Sequence, residues 1–264
     1  MLKNVLNLFA GKKSIQKYFE FAYSKALDGM NYGNSGEYKS SGEIAAAEYV
    51  KNKLQNTTEK ITVFDVGANI GKYAVELANV FSKENCIIYS FEPSAETYNA
   101  MAKTVESNKK IIPLNFGFGK EEAILKLYTD KTHSGLASVY KRKLDHFNIE
   151  MSKSEEISIS TIDNFCLKNS IEKIHFLKLD IEGNEYNALL GAEKMLKAKK
   201  IDFIQFEFGG CNIDSRTYFQ DFWYLLKEDY NFYRIVKNGL RPIKNYSESL
   251  EIFITINFLL ELKK

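Results

Sequence analysis

The chain has 264 residues, 45% of them hydrophobic and 27% charged, which is the composition of an ordinary globular protein with enough length for an α/β core. Its formal net charge is +2 and its basic and acidic residues are interspersed, which argues against a nucleic-acid-binding protein with a concentrated basic face. Three cysteines that lie far apart provide neither a disulfide framework nor a zinc knuckle, and no apolar stretch approaches the length of a transmembrane helix. A reducing compartment, the cytoplasm, is therefore the expected location.

The N-terminal part of the sequence predicts two helices and a loop. Apolar residues recur at helical spacing over residues 13–28 and again over residues 41–55. Ser40, followed three positions later by Glu43, predicts a capping box at the start of the second helix. The connection from Gly29 to Gly42 is rich in glycine, serine and asparagine and is long for a compact domain. It is either an ordinary surface connection or a lid over a binding site.

From residue 61 onward, strand and helix patterns alternate. The predicted strands cover residues 61–66, 86–91, 111–116, 174–180 and 201–208, and the predicted helices cover 71–82, 94–107 and 184–198. This repeat of strand, helix and strand predicts an α/β fold with a parallel sheet that is covered by helices on both faces. We therefore expect a helical extension over residues 1–60 and an α/β domain over residues 61–264.

Two segments break this alternation. Within residues 120–161, the stretches 123–128 and 156–161 have the pattern of short strands, which indicates an insertion beside the sheet. At the C-terminus, residues 231–236 and 251–258 are strand-like and are joined by a turn-rich link without a helix. A short link of this kind predicts an antiparallel pair.

Acidic residues end four of the predicted strands. They are Asp65, Glu92, Asp180 and Glu207. Open parallel sheets bind their ligands at the carboxyl ends of the strands, and a buried sheet needs no carboxylates there. These acids are therefore the main evidence in the sequence for a functional site. Glu207 ends the fifth strand, so we expect it to point toward the same edge and to bind substrate or act in catalysis.

The first strand runs into the sequence FDVGANIG, a glycine turn that opens a helix. Gly67 and Gly71 allow a tight turn and the close approach of a ligand, and Asn69 tolerates a positive φ. Glu92, in the sequence FEP at the end of the second strand, can accept hydrogen bonds from both hydroxyls of a ribose. The alternative is that Glu92 only caps the helix that begins at Pro93. Together the two sequences predict a site for a nucleoside cofactor.

Two kinds of nucleoside cofactor would use such an acid, a dinucleotide and S-adenosylmethionine. A dinucleotide needs its pyrophosphate at a helix N-terminus, where Asp65 would oppose it, and the GxGxxG pattern is incomplete. S-adenosylmethionine carries a sulfonium and an ammonium group, which an acid attracts. The charges thus favour S-adenosylmethionine over NAD. An NAD-dependent oxidoreductase and a non-catalytic cofactor-binding module remain as alternatives.

The second motif is LKLDIEGNE, in which a strand ends at Asp180 and Gly183 turns the chain into a helix. Asp180 is expected to face the transferred methyl group or the amino-acid end of the cofactor. Glu182 or Glu185 would orient a substrate hydroxyl or take its proton. The alternative is that both glutamates only stabilise the N-terminus of the helix. A divalent cation held by these acids is a further option, which no histidine spacing supports.

In this order and at these separations, FDVGANIG, FEP and LKLDIEGNE followed by LLGA resemble the FkbM-type family of S-adenosylmethionine-dependent methyltransferases over residues 61–208. The resemblance implies a Rossmann-like class I methyltransferase sheet that is mostly parallel and has an antiparallel last strand. It also implies transfer of a methyl group from S-adenosylmethionine to oxygen, often on a sugar or polyketide hydroxyl.

Positions that match the family, together with their neighbours, give the expected site. Asn115 and Phe116 stand where the family usually has a short alanine-containing stretch, beside the adenine. The expected cofactor contacts are Asp65, Gly67, Ala68, Asn69, Gly71, Glu92, Pro93, Asn115, Phe116 and Asp180. The expected catalytic residues are Asp180, Glu182, Glu185 and, from its strand position, Glu207. The expected reaction is O-methylation of a sugar hydroxyl in a glycan, a lipopolysaccharide or capsule, or a nucleotide sugar, with no nucleic-acid partner. The sequence leaves metal dependence and a homo-oligomer open.

Overall fold

Strands and helices alternate through most of the chain, as the sequence predicts. The computed structural model describes residues 9–34 and 38–264, so residues 1–8 of the predicted extension and 35–37 of the predicted loop lie outside the described residues. The strands are β1 (Ile61–Val66), β2 (Cys86–Phe91), β3 (Ile111–Leu114), β4 (Gly117–Phe118), β5 (Ala123–Thr129), β6 (Lys153–Ser160), β7 (Ile174–Leu179), β8 (Ile201–Phe208), β9 (Tyr230–Val236), β10 (Gly239–Ile243) and β11 (Ile256–Leu262). The helices are α1 (Gln16–Gly29), α2 (Tyr38–Ser41), α3 (Glu43–Leu54), α4 (Lys72–Val80), α5 (Ala95–Val105), α6 (Ile162–Lys168), α7 (Glu185–Leu190), α8 (Glu193–Lys197), α9 (Cys211–Ser215) and α10 (Phe219–Leu226). Among these described residues, no helix is long and apolar enough to cross a bilayer.

The main sheet contains eight strands in the order β10-β9-β11-β8-β7-β1-β2-β3. The neighbours from β8 to β3 are all parallel. β11 lies between β8 and β9 and runs antiparallel to both, and β10 runs antiparallel to β9. The prediction of a mostly parallel sheet with an antiparallel last strand is confirmed.

Helices cover both faces of the main sheet, which explains the continuous apolar sequence of its central strands. All six residues of β7 are buried. One hydrophobic cluster joins the sheet to α3, α4 and α5, and a second joins it to α6, α7 and α10. Because Ala46, Ala47 and Val50 of α3 pack in the first cluster, α3 is part of the core layer of the sheet. The domain boundary at residue 60 stays a prediction.

The insertion forms a second, smaller sheet in the order β4-β6-β5. β5 and β6 are antiparallel, which confirms the two predicted short strands and adds β4 to them. Leu127, Ile157 and Ile159 form a small hydrophobic cluster on one side of this sheet. The second sheet lies near the carboxyl ends of the main strands, where these three side chains line the same cavity as the strand ends.

The C-terminal pair is antiparallel as predicted, but its bounds and its link differ from the prediction. The turn-rich link contains β10, which pairs with β9 in a hairpin, and a short 3₁₀ helix at Glu248–Leu250. The last strand begins at Ile256 and not at Glu251. The reason is that the Glu251 carboxylate accepts the backbone N–H groups of Phe219 and Gln220, both at 2.8 Å, and so caps the start of α10.

The helix predicted over residues 184–198 is broken into α7 and α8. At the break, a side chain on Gly191 would place its Cβ 2.1 Å from the carbonyl oxygen of Gly119, so the chain is packed too closely there to accept one. The Asp163 carboxylate accepts the N–H groups of Lys194 and Met195, at 2.8 and 3.0 Å, and thereby starts a new helix.

The predicted capping box at Ser40 is wrong. Gly42, with φ of 91°, is the N-cap of α3 and supplies no side-chain cap. Ser41 takes part instead, because its hydroxyl donates to the Glu43 carboxylate at 2.9 Å.

Candidate active site

A cavity of about 860 Å³ opens at the carboxyl ends of the central strands. Its size falls within the range of small-molecule and cofactor sites, about 300–1,000 Å³. The glycine turn after β1, the end of β2, the loop after β7 and the end of β8 all contribute to its wall. The smaller sheet and the segment 131–139 supply a further part of it. The acidic strand ends predicted from the sequence therefore meet around one cavity.

The glycine turn after β1 passes very close to the loop after β7. Gly67 has φ of 84°, and a Cβ built on it would lie 1.8 Å from the carbonyl oxygen of Asp180. The N–H groups of Gly67 and Ala68 both donate to the Phe91 carbonyl at 3.0 Å, which ties the turn to the end of β2. Asn69 has φ of 48°, as the sequence predicts. A bare backbone is thus required here by close packing as well as by the turn.

Glu92 is held by backbone donors and faces the cavity. Its two carboxylate oxygens accept the N–H groups of Asn69 at 3.0 Å and of Ser94 at 2.9 Å. Burial raises the pKa of Glu92 to about 7, although these two hydrogen bonds oppose the rise. A carboxylate oxygen accepts more than one hydrogen bond, so the group remains able to bind two hydroxyls. Glu92 thus has the position expected of a ribose acid and also helps to start α5.

Asp65 lies behind the turn and not in the cavity wall. Its side chain is fully buried, and within the described residues neither carboxylate oxygen has a hydrogen-bond partner. The ammonium of Lys178 lies 3.8 Å from Asp65 and 2.9 Å from Asp180. Burial raises the pKa of Asp65 to about 6. Direct contact of Asp65 with a ligand, as the sequence suggested, does not fit this position, whereas Asp180 does line the cavity.

Three further expected cofactor contacts also lie outside the cavity wall. Gly71 packs against α5. The amide of Asn115 donates to the carbonyls of Glu92 and Pro93, at 2.9 and 3.0 Å, and the Phe116 ring packs edge-on against Phe91. These residues support the wall from behind. The wall itself is completed by Pro93 and by two residues that follow β3, Gly117 and Phe118.

Glu185 supports the loop after β7 instead of facing the cavity. Its fully buried carboxylate accepts the N–H group of Ile181 at 2.9 Å and that of Gly183 at 3.0 Å. It thereby holds a strained backbone, because Glu182 has φ of 51° and Gly183 has φ of 105°. This placement fits the alternative in which Glu185 stabilises the helix start, and a direct catalytic role for Glu185 does not fit it.

Glu182 and Glu207 both line the cavity but differ in their partners. The guanidinium of Arg142 donates to the Glu182 carboxylate and lies 3.7 Å from Asp214. Glu207 is only 9% exposed and has neither a hydrogen bond nor an ion pair within residues 9–34 and 38–264. Burial and the nearby acids raise the pKa of Glu207 well above its usual range. Glu207 is therefore a buried carboxyl that is free to act on a ligand.

The sequence left a divalent cation site open. The acidic residues that could bind a cation in the structure differ from those that the sequence suggested. Ligand atoms of Glu182, Glu207 and Cys211 lie within 4.8 Å of one another. The sequence suggested Asp180 as a member of such a set, but Asp180 pairs with Lys178. Arg142 already places a positive charge on Glu182, so these residues do not require a metal ion to balance that acid. A divalent cation at this site stays the unsupported option that it was in the sequence.

The sequence of the chain matches one known protein family over most of its length. Residues 65–233, more than half of the chain, match the family described as the methyltransferase FkbM domain. The chain belongs to the FkbM methyltransferase family. Both cavity-lining motifs, after β1 and after β7, lie inside the matched range. The resemblance seen in the sequence is confirmed.

Individual relatives of this FkbM-family chain are distant. It is 23% identical over 159 residues to the hexuronic acid methyltransferase AglP of Haloferax volcanii, and the match covers 59% of this chain and 60% of AglP. Among solved structures, a methyltransferase FkbM from Methylobacillus flagellatus is 16% identical, with a TM-score of 0.44 over 80% of this chain and 47% of its own length. The METTL16 methyltransferase domain is 6% identical, with a TM-score of 0.47 over 84% of this chain and 68% of its own length.

The sequence missed one segment of this FkbM-family site, residues 130–142, which crosses the cavity between the two motifs. The side-chain amide of Asn69 donates to the Ser134 carbonyl at 3.1 Å, and the Ser138 hydroxyl donates to the Glu182 carbonyl at 2.7 Å. No motif in this polar segment predicts such contacts. By contrast, the apolar wall formed by Leu127, Ile157 and Ile159 could have been found, because apolar residues alternate along both strands.

The buried acids predict that the free protein loses stability as the pH rises from 5 to 8. Burial raises the pKa values of Asp65, Glu92, Glu185 and Glu182 to about 6, 7, 7 and 8, and it also raises those of Glu43 and Glu207. Unfolded carboxyls titrate near pH 4, so the folded state holds protons that the unfolded state has already lost. Stability is therefore greatest below that range and declines as the pH passes through the folded values.

Thermal unfolding measured between pH 5 and pH 8 should show a Tm that is several degrees lower at pH 8. Burial lowers the pKa of His175, so this histidine works in the opposite direction, but it is one group against six. A Tm that stays constant or rises across this window would show that the acids are not buried as described.

Proposed function

We propose that this FkbM-family chain is an S-adenosylmethionine-dependent O-methyltransferase that acts on a sugar hydroxyl. The observation that carries the proposal is a pair of cavity-lining carboxylates at the ends of β2 and β8, strands with two others between them. Glu92 is oriented by backbone donors on the side where a nucleoside would lie, and Glu207 is unpaired on the other side. A site with both groups can hold a cofactor and deprotonate an acceptor.

The residues present fit S-adenosylmethionine. Glu92 would accept the ribose hydroxyls, and Asp180 would face the amino-acid end. Phe118 and the apolar side chains of the smaller sheet offer a surface for the adenine. Acids surround the glycine turn, and Asp65 carries buried oxygens without a hydrogen-bond partner in the described residues. A cofactor with positive groups is favoured in such surroundings, whereas a dinucleotide pyrophosphate is opposed, which speaks against the NAD alternative.

When bound, S-adenosylmethionine supplies an electrophilic methyl group. The contribution of the chain is to position the acceptor and to take its proton. Asp180 is paired with Lys178 and Glu182 with Arg142, so each of these acids already holds a cation that favours its charged form, although burial raises the pKa of Glu182 to about 8. Glu207 has no such partner, and its raised pKa makes its carboxylate a better proton acceptor. We therefore assign proton removal to Glu207 and positioning to Asp180, Glu182 and Arg142.

A sugar acceptor is supported by the name of AglP, a hexuronic acid methyltransferase, although this chain spans only 60% of the length of that relative. The cavity wall also carries hydroxyl, amide and charged groups that suit a polyhydroxylated ligand. The glycan, lipopolysaccharide, capsule or nucleotide sugar, the cytoplasmic location and a homo-oligomer are parts of the same proposal.

A transfer assay tests the proposal. Radiolabelled methyl from S-adenosylmethionine would be followed onto a panel of nucleotide sugars, hexuronic acids and oligosaccharides, with and without a chelator. We expect a methyl ether that resists alkali and a rate that the chelator leaves unchanged. If alkali removes the methyl group, the product is a methyl ester and the methyl group was transferred to a carboxylate instead of a hydroxyl. Binding of S-adenosylhomocysteine without transfer to any acceptor would favour the non-catalytic module.

A further inference from the structure

Part of the cavity wall comes from residues that precede the FkbM domain match. Tyr38 of α2 and Glu43 of α3 line the cavity together with Tyr73, Lys178 and Asp180. We call these five residues the N-terminal corner. The family match begins at residue 65, so Tyr38 and Glu43 lie N-terminal to the matched domain.

Glu43 is a buried carboxylate in this corner. It is 3% exposed, and its two oxygens accept the Ser41 hydroxyl at 2.9 Å and the Gln205 amide at 3.1 Å. Within the described residues it has no ion-pair partner closer than 4 Å. Glu43 is the first residue of a 12-residue helix, where the helix dipole favours a negative charge. The fold therefore holds Glu43 in place without neutralising it by direct contact.

The corner also contains polar groups whose bonding is incomplete. The Tyr73 hydroxyl is buried and has no hydrogen-bond partner among the described residues, although its ring packs 5.0 Å from that of Tyr38. The Lys178 ammonium lies 4.5 Å from the centre of the Tyr73 ring. Glu43, Asp65 and Asp180 outnumber this one cation when all three are ionised. Buried polar groups normally find partners, so the corner is suited to a ligand that carries a positive group and a hydrogen-bond acceptor.

We propose that Tyr38 and Glu43 bind the amino-acid end of S-adenosylmethionine, with Glu43 opposite its ammonium and the tyrosine hydroxyls donating to its carboxylate. This inference rests on the proposed function, because it takes S-adenosylmethionine as the cofactor. A zwitterion matches both the excess of acids and the unbonded hydroxyl. The cofactor site of this chain is then completed by its N-terminal segment, and the matched family domain alone would hold an incomplete site.

A comparison of two ligands on the full chain tests this inference by calorimetry. S-adenosylhomocysteine has the amino-acid end, and 5′-methylthioadenosine has the adenosine and the thioether without it. We expect Glu43→Gln to weaken S-adenosylhomocysteine about tenfold, through loss of a charge-assisted interaction, and to change methylthioadenosine less than twofold. Tyr38→Phe should show the same selectivity with a smaller effect. Glu48→Gln, an exposed position on the same helix, is the matched control and should change neither ligand.

Equal weakening of both ligands by Glu43→Gln would show a structural role and would overturn the inference, as would unchanged binding of both. If Glu43→Gln does not fold, Tyr38→Phe carries the test, since Tyr38 is only half-buried. Failure of the wild-type chain to bind S-adenosylhomocysteine would instead remove the proposed function itself.

Discussion

Replacing Gly67 by alanine is expected to abolish cofactor binding and to destabilise the fold by about 3 kcal/mol or more. The new Cβ would lie 1.8 Å from the Asp180 carbonyl oxygen and 2.8 Å from its carbon. Both are backbone atoms, so no rotation of a side chain relieves the clash. The φ of 84° adds strain that glycine avoids. The turn after β1 would have to move away from the loop after β7, and both motifs would lose their positions.

Urea denaturation and calorimetry with S-adenosylhomocysteine would measure the two effects. Gly29→Ala is the matched control, because a Cβ at Gly29 meets nothing within 4 Å and Gly29 lies outside the cavity wall. It should leave binding unchanged and should not destabilise the fold. If Gly67→Ala folded with normal stability and bound the ligand, the close approach of the two loops would be wrong.

Glu207→Gln is expected to lower kcat by about 10²–10⁴-fold while making the protein more stable. The amide keeps the size of the side chain but cannot take a proton. It also removes a buried carboxyl that has no partner in the described residues, and such a group costs stability when it ionises. Loss of activity together with a higher Tm at pH 8 distinguishes a catalytic role from a folding defect.

Binding of S-adenosylhomocysteine should change less than twofold in Glu207→Gln, because Glu207 is assigned to the sugar and not to the cofactor. In the wild type, kcat should rise with pH as Glu207 loses its proton, and this dependence should be absent from the variant. Glu228→Gln, at a side chain that is 84% exposed, serves as the control. A kcat within threefold of the wild type would remove Glu207 from catalysis.

Much of the fold was accessible from local sequence, because β-branched strands, helix periodicity and acidic strand ends are all local features. The motif residues Gly67, Asn69, Glu92 and Asp180 lie in the cavity wall, and their contact with a cofactor stays a prediction. Asp65 does not, since side chains alternate along a strand. Asp65 pairs in register with Ser90 and Lys178 and is fully buried, so its carboxylate lies beside Lys178 and not in the cavity wall.

The remaining differences arise from contacts between residues that are distant in sequence. Arg142 reaches Glu182 from a polar insertion, and Glu43 reaches Gln205 across 162 positions. Glu251 stands in a sequence with a strand pattern, but in the structure its carboxylate caps α10. Local sequence patterns carry no information on such pairs.

Calorimetry with S-adenosylhomocysteine tests the central claim most directly, because Glu92, at the end of β2, is the residue assigned to the ribose of the cofactor. We expect the wild-type chain to bind one molecule, NADH not to compete, and Glu92→Ala to weaken binding at least tenfold, since the ribose loses both charge-assisted hydrogen bonds. Glu106→Ala, at an exposed position just after α5, should bind like the wild type. Absence of binding to the wild type, or unchanged binding in Glu92→Ala, would contradict the assignment of this cavity to S-adenosylmethionine.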